Sequence, residues 1–135
     1  MRALIADDDP AYRTLLADLL AEWDFEVVLA SDGMKALGVM RGRDCPRLVL
    51  LDWEMPGADG FEVAKSIRAE QHGSGPYILM ITSNRKKQDL MRVLVCGADD
   101  YLIKPFDPMD LKIHLRSAMR ILSLQEELEA LARSS

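Results

Sequence analysis

Five short apolar segments alternate with five helix-like segments, and this alternation constrains the fold more than any other feature of the chain. The first, third and fourth apolar segments are nearly continuous runs, which are typical of strands buried on both faces of a parallel sheet. Strand–helix units in series predict one α/β domain with an open parallel sheet and helices on both faces. The predicted strands are Arg2–Ala6, Phe25–Leu29, Leu48–Leu51, Tyr77–Ile81 and Asp100–Ile103.

The segments between the strands have the signals that begin a helix and one apolar side. In the first of them, apolar residues recur at helical spacing from Tyr12 onward. Asp9 before Pro10, and Asp107 before Pro108, each place a capping residue ahead of a proline in the first helical turn. The middle helices are predicted over Asp32–Met40, Gly60–Glu70 and Lys86–Cys96.

The composition excludes several classes of function. A net charge of −5 and a pI of about 5.0 argue against nucleic-acid binding by this segment alone, since phosphate contacts need a basic face. No apolar run reaches the roughly 20 residues of a membrane span, and no signal peptide fits before Arg2. Cys45 and Cys96 lack metal-ligand spacing. We therefore expect a cytoplasmic protein with two reduced thiols.

Polar side chains follow four of the predicted strands. In open α/β sheets the functional site lies beyond the carboxyl ends of the strands, so we expect these side chains to meet. They are Asp7, Asp8 and Asp9 after the first strand, Asp52 after the third, Thr82 and Ser83 after the fourth, and Lys104 after the fifth.

Converging carboxylates need something to offset their repulsion, which is on the order of 4 kcal/mol for a pair at ~4 Å. A raised pKa, Lys104 or a divalent cation would each do so, and all-oxygen ligands suit Mg²⁺ or Mn²⁺. An aspartate, a hard cation, a hydroxyl and a lysine in one site suit phosphoryl transfer to the carboxylate. Alternatively, the acidic run that ends at Asp9 only caps a helix, although this leaves Asp52 unexplained.

The chain resembles the receiver domains of bacterial two-component response regulators over nearly its whole length. This resemblance implies a doubly wound, flavodoxin-like (βα)5 three-layer sandwich with strand order 2-1-3-4-5 and an extended C-terminal helix. The segments that carry it are Leu4–Pro10, Leu50–Gly57, Asp59-Gly60, Ile81–Ser83 and Gly97–Phe106.

The resemblance also implies roles for the acidic residues. Asp52 is the expected phosphoacceptor. Asp8 and Asp52 are expected to bind Mg²⁺ (or Mn²⁺) directly, with Asp7 acting largely through water and the backbone carbonyl of Glu54 as a further ligand.

Three more residues have roles by the same resemblance. Lys104, whose bond to Pro105 is often cis in this family, is expected to pair with the phosphoryl group. Thr82 is expected to move toward the phosphoryl oxygens, and Tyr101 to turn inward into the space that Thr82 leaves.

The implied function is a signalling switch that catalyses only its own phosphorylation and dephosphorylation. A sensor histidine kinase or a phosphotransfer protein supplies the phosphoryl group, and the face formed by helix 4, strand 5 and helix 5 then dimerises or contacts an output domain. Two alternatives stay open at this point. One is a hydrolase of the haloacid dehalogenase type, although residues 7–11 lack the Thr or Val of its DxDx(T/V) motif. The other is a non-phosphorylated pseudo-receiver interaction module.

The last helix is expected to extend past the receiver. Ile121, Leu124, Leu128 and Leu131 have the 3-4-3 spacing of a short coiled-coil seam, which predicts pairing with a second copy. A helix folded back on its own domain is the alternative. We therefore divide the chain into a receiver domain, residues 1–120, and a helical linker, residues 121–135, toward an absent output domain, of which cyclic-dinucleotide synthesis or breakdown domains are one type.

Overall fold

A computed structural model describes residues 1–134, and a five-stranded, all-parallel sheet lies at its centre. The strand order is β2-β1-β3-β4-β5, so the expected doubly wound fold is confirmed. The elements in chain order are β1 Arg2–Ala6, α1 Pro10–Glu22, β2 Glu26–Ala30, α2 Gly33–Met40, β3 Leu48–Asp52, α3 Gly60–Glu70, β4 Tyr77–Thr82, α4 Lys87–Val95, β5 Asp100–Ile103 and α5 Pro108–Ser134.

The predicted boundaries differ from the observed ones by one residue at several ends. The β2 strand begins one residue later than predicted because the Phe25 N–H donates to the Leu20 carbonyl, which keeps Phe25 in the turn after α1. The β3 and β4 strands each continue one residue further, to Asp52 and Thr82. Asp52 and Thr82, which are both predicted functional residues, therefore lie within the hydrogen-bonded strands of the sheet.

Successive strand side chains alternate between the two faces of the sheet and divide the core into two clusters. From β1, Leu4 and Ala6 enter the cluster covered by α2, α3 and α4. Ala3 and Ile5 enter the opposite cluster, which α1 and α5 cover. All of β3 and β4 is buried, whereas the edge strand β2 is mostly not, which agrees with the apolar runs in the sequence.

Aspartates cap the helices that begin at the carboxyl edge of the sheet. Asp9, Asp32 and Asp59 each accept a backbone N–H of the first helical turn, at 2.8–2.9 Å. At the start of α5, the Asp107 carboxylate accepts the Asp110 N–H at 3.0 Å, and the Asp110 carboxylate accepts the Asp107 N–H at 3.3 Å. These caps satisfy free N–H groups at the helix starts and fix the loops that carry the polar residues.

The α5 helix runs without a break from Pro108 to Ser134. Its inner face packs on the sheet as far as Leu122, which is fully buried. Beyond that point Arg47 reaches the helix, 3.4 Å from Gln125 Oε1 and 4.0 Å from Glu129 Oε2. The helix therefore follows the receiver body past residue 120, and the division there stays a prediction about the whole protein.

Two expectations from composition can be compared with the structure. Both cysteines are free, with Cys96 buried and Cys45 half-buried. Within residues 1–134, no helix combines the length and the apolar character needed to cross a membrane.

Candidate functional site

A cleft of about 420 Å³ opens at the carboxyl edge, where β1 and β3 lie side by side. The chain leaves β1 through α1 on one face and leaves β3 through α3 on the other, so the connections separate and leave space between them. We call this space the acidic cleft. It is lined by Asp8, Asp9, Tyr12, Asp52, Glu54, Ser83, Lys104 and Pro105.

Three carboxylates meet in the acidic cleft. One carboxylate oxygen from each of Asp7, Asp8 and Asp52 lies within 4.8 Å of the others. The strand register explains this convergence, since Ala6 is paired with Leu51 and each is followed by an aspartate. Asp7 and Asp52 are 1% and 7% exposed, whereas Asp8 is exposed. The structure thus brings together acidic residues that are 45 positions apart in sequence.

Lys104 reaches into this group from the loop after β5. Its Nζ lies 2.9 Å from Asp7 Oδ2 and 3.6 Å from Asp52 Oδ1. Its backbone N–H donates to the Thr82 carbonyl at 2.8 Å, and its peptide bond to Pro105 is cis. Burial alone would lower the pKa of Lys104, but the hydrogen bond to Asp7 and the charges of Asp52 and Asp7 outweigh it and raise the pKa.

Asp52 is poorly stabilised as a carboxylate. Its pKa is raised to about 7: burial contributes most, and the neighbouring charge of Asp7 raises the pKa by more than Lys104 lowers it. One lysine therefore does not neutralise the cleft. Additional positive charge would stabilise the ionised form of Asp52, which is the nucleophilic form of a carboxylate.

The ligands available suit a hard divalent cation. Asp8 and Asp52 offer carboxylate oxygens at the cleft, and all three clustered side chains are oxygen donors. Both oxygens of Asp7 already accept a hydrogen bond, one from the Asp9 N–H and one from Lys104, each at 2.9 Å. This arrangement is compatible with an Asp7 that acts through water. The acidic cleft therefore has the set of oxygen donors that a metal site requires.

The remaining predicted site residues lie around the cleft and differ in how far they are buried. Thr82 is 1% exposed, and its Oγ1 accepts the Asn84 N–H at 3.0 Å. Glu54 lines the cleft with an exposed side chain. Tyr101 is half-buried and packs against the first core cluster. It also borders a groove that contains His114. The predicted movements of Thr82 and Tyr101 are not visible in one conformation and stay predictions.

Three contacts at or near the site have no counterpart in the sequence reasoning. The Tyr12 ring lies 4.1 Å from the Lys104 ammonium, and Arg13 Nη1 donates to the Asp7 carbonyl at 2.8 Å. His114 of α5 has its Nδ1 2.5 Å from Asp100 Oδ2. The sequence pattern predicts Tyr12 on the apolar side of α1, and only its position in the first helical turn after a strand end points to the site.

The fold and the acidic cleft define a family of signalling domains. The family model of the response regulator receiver domain matches residues 3–116. The chain therefore belongs to the response regulator receiver domain family. Members take phosphoryl groups from histidine kinases, and this membership favours the switch over the haloacid dehalogenase alternative.

One curated relative is the DNA-binding response regulator MtrA of Mycolicibacterium smegmatis, which is 38% identical over 119 residues, 88% of this chain and 50% of MtrA. The chain spans about half the length of the curated relatives it matches first.

Two solved structures extend the comparison. The receiver domain of the sensor histidine kinase PA1611 from Pseudomonas aeruginosa PAO1, with a magnesium ion coordinated in its active site cleft, is 30% identical with a TM-score of 0.76. The match covers 87% of this chain and 95% of that one. A probable two-component system response regulator/GGDEF domain protein is 28% identical with a TM-score of 0.85, over 91% of this chain and 50% of that one.

Proposed function

We propose that this protein is a phosphorylation-controlled switch in which Asp52 accepts a phosphoryl group from a sensor histidine kinase or a phosphotransfer protein. The observation that carries the proposal is the meeting of the Asp7, Asp8 and Asp52 carboxylates beside Lys104 in one open cleft. Carboxylates packed together with perturbed pKa values commonly mark a functional site. The chemistry requires no group that the acidic cleft lacks, apart from the phosphodonor and the cation.

The reaction is an in-line displacement at phosphorus. An Asp52 carboxylate oxygen forms a new O–P bond while the P–N bond of the donor phosphohistidine breaks, and the imidazole leaves with the bonding electron pair and takes up a proton. Lys104 leaves Asp7 or bridges from it to neutralise a phosphoryl oxygen. Asp8, Asp52 and the Glu54 carbonyl would hold Mg²⁺ (or Mn²⁺), with Asp7 acting through water. The bound ion supplies positive charge to the phosphoryl oxygens.

Phosphorylation replaces the Asp52 carboxylate with an acyl phosphate whose phosphoryl group carries a charge of about −1.5 to −2 at a buried position, and this group drives the switch. The hydrogen bond from the Asn84 N–H to the Thr82 hydroxyl breaks, and the hydroxyl then donates to the phosphoryl group. Tyr101 moves inward. The change reaches the face of α4, β5 and α5. That face already exposes the apolar side chains of Met91, Leu94, Val95, Met109 and Ile113. Such a surface suits pairing with a second copy.

The far half of α5 offers a second surface for a homodimer. Its seam residues are 41–67% exposed: Ile121, Leu124, Leu128 and Leu131. If these residues are the a and d positions, Glu127 is at a g position. An antiparallel pair would place the two Glu127 side chains opposite each other, whereas a parallel pair places Glu127 opposite Ala132. The parallel arrangement therefore avoids a like-charge contact.

The output of the switch lies outside this segment. The coverage of about half of the matched relatives supports an output domain in the whole protein, of the DNA-binding or GGDEF kind that their names give. The receiver itself is acidic, so we assign it no nucleic-acid contact. We also place the protein in the cytoplasm, where histidine kinases present their phosphohistidines.

Labelling with a small phosphodonor tests the acceptor. Incubation with acetyl phosphate and Mg²⁺ should add the mass of one phosphoryl group to the wild type and nothing to Asp52→Asn. Asp107→Asn is the matched control, since this carboxylate caps α5 outside the cleft, and it should label like the wild type. Equal labelling of Asp52→Asn would defeat the proposal.

A further inference from the structure

The ring of Tyr12 lies against the ammonium group of Lys104 at the side of the acidic cleft. The 4.1 Å distance from Nζ to the ring centroid is well inside the roughly 6 Å over which an aromatic face attracts a cation. The Lys104 side chain is only 11% exposed, so its ammonium group has lost much of its hydration. An aromatic face attracts such a desolvated cation more strongly than an exposed one.

The partners of this ammonium group differ in how strictly they depend on geometry. One N–H donates to Asp7 at 2.9 Å, a second side faces Asp52 at 3.6 Å, and the Tyr12 ring covers a third. A hydrogen bond weakens steeply when its distance or angle changes. The attraction of a ring face varies gradually over several ångströms. The ring can therefore hold the ammonium group while it moves from Asp7 toward a phosphoryl oxygen on Asp52.

Phe106 holds the Tyr12 ring in turn. The two ring centroids are 6.1 Å apart at an interplanar angle of 43°. Phe106 packs on the second core cluster and lies two residues after Lys104 in the chain. The Tyr12 ring thus spans from the first turn of α1 to the loop before α5, next to the lysine that this loop carries.

We propose that Tyr12 is a positioning residue for Lys104 in the phosphorylation of Asp52. The inference rests on the proposed function, since it takes Asp52 as the acceptor. Tyr12 forms and breaks no bond in the reaction. It restricts the long Lys104 side chain to conformations that point into the cleft and keeps water from one side of the ammonium group.

Rates of labelling by acetyl phosphate at saturating Mg²⁺ test the inference. Tyr12→Leu should slow labelling about tenfold, because it keeps much of the bulk and removes the ring face. Tyr12→Phe keeps the ring face, so its labelling rate should stay within about threefold of wild type. Mg²⁺ affinity, read from tryptophan fluorescence, should stay the same in both variants. A general loss of structure in the cleft would instead weaken Mg²⁺ binding as well.

Two comparisons separate positioning from other effects. Trp23→Leu is the matched control, since its ring also lies under a lysine, Lys112, at 5.8 Å, but outside the cleft. It should label at the wild-type rate. In a Lys104→Ala background, Tyr12→Leu should cause no further slowing, because its effect passes through the lysine. An undiminished second loss in that background would overturn the inference.

A measurement on the unphosphorylated protein gives a readout independent of the reaction. The ¹⁵N signal of the Lys104 ammonium group, assigned by its loss in Lys104→Arg, should be protected from solvent exchange in wild type and Tyr12→Phe but not in Tyr12→Leu. If wild type fails to label at Asp52, the proposed function fails. If wild type labels and Tyr12→Leu labels equally fast, only the role of Tyr12 fails.

Discussion

At the scale of single residues, the acidic cleft brings mutually repelling carboxylates together in a buried position, and the domain folds despite this repulsion. Asp52 is buried beside Asp7, and Lys104 is shared between the two carboxylates. Repulsion and burial both favour a proton on Asp52, so the ionised form that is needed for nucleophilic attack carries a cost in stability. A bound cation or phosphoryl group changes this balance locally, which is what a switch requires.

The raised pKa of Asp52 predicts a pH-dependent effect of its removal. The pKa is about 7 in the folded protein against 3.8 for an ordinary aspartate, so the folded state binds the proton more tightly. The contribution of Asp52 to the free energy of unfolding should therefore fall as the pH rises from about 4 through 7. Without divalent cations, Asp52→Asn should be more stabilising at pH 8 than at pH 5, by on the order of 2 kcal/mol.

Urea unfolding in EDTA at the two pH values measures this difference. Asp18→Asn, on the exposed side of α1, is the control and should show little pH-dependent change. A stabilisation by Asp52→Asn that is the same at both pH values would show that residue 52 does not titrate as stated. Millimolar Mg²⁺ should reduce the advantage of the asparagine at pH 8, because the ion stabilises the ionised carboxylate.

At the scale of elements, the first residue of α3 packs closely against the end of β3, the strand that carries Asp52. The Gly60 N–H donates to the Trp53 carbonyl at 2.8 Å. A Cβ atom on Gly60 would lie 2.6 Å from the Asp52 carbonyl oxygen and 2.8 Å from the Trp53 Cα, both of them backbone atoms. Helix α3 can therefore approach the end of β3 only where its first residue has no side chain.

Two glycine substitutions should have opposite effects on stability. Gly60→Ala should destabilise the fold by on the order of 2 kcal/mol, because the backbone of β3 or α3 must shift. Gly38→Ala is the matched control: it is exposed within α2 with no atom within 4 Å of the added Cβ, and it should stabilise by about 0.5–1 kcal/mol. Thermal unfolding of both variants checks the signs. A neutral Gly60→Ala would contradict the close approach.

Contacts of Arg68 hold the loop between α4 and β5 on the rest of the domain. Arg68 of α3 donates to the Gly97 and Pro76 carbonyls at 2.8 and 2.7 Å and pairs with Asp99 at 2.7 Å. Asp99 also accepts the Ile78 N–H at 2.7 Å. The loop before β5 is thus fixed to α3 and β4, at the opposite end of β5 from Lys104.

At the scale of the whole molecule, apolar surface is concentrated where a second copy could bind. The outer sides of α4 and α5 expose large apolar side chains, and the seam of α5 continues this surface beyond Leu122. Two heptads alone make a weak coiled coil. Under the proposed function, a stable dimer therefore needs both surfaces, and phosphorylation controls one of them.

Sedimentation with and without beryllium fluoride, a phosphoryl mimic, measures this dependence. The wild type should shift from monomer toward dimer when beryllium fluoride and Mg²⁺ are added. A Leu124→Glu/Leu128→Glu variant should shift much less, since both leucines are exposed in the monomer and their change leaves the fold intact. Ser123→Glu, on another side of the helix, should behave as wild type. Equal dimerisation of the double variant would remove the seam from the interface.

Much of this protein was determined by the sequence alone. Sequence patterns placed the five strands and the three middle helices to within one residue at each end, because apolar runs and aspartate caps are local signals that the chain carries whatever its tertiary fold. The rule that sites lie at the carboxyl ends of strands also brought Asp7, Asp8, Asp52 and Lys104 to one edge. The roles of these residues came from the family resemblance rather than from spacing.

Tertiary structure decided what depends on distance between remote segments. Only the packed sheet shows that Lys104 is shared between Asp7 and Asp52, that burial raises the pKa of Asp52, and that Tyr12 covers the lysine. These properties arise from desolvation and from contacts across as many as 97 residues, which no local pattern encodes. An amphipathic pattern shows that a residue faces inward, but it does not show which partner it meets there.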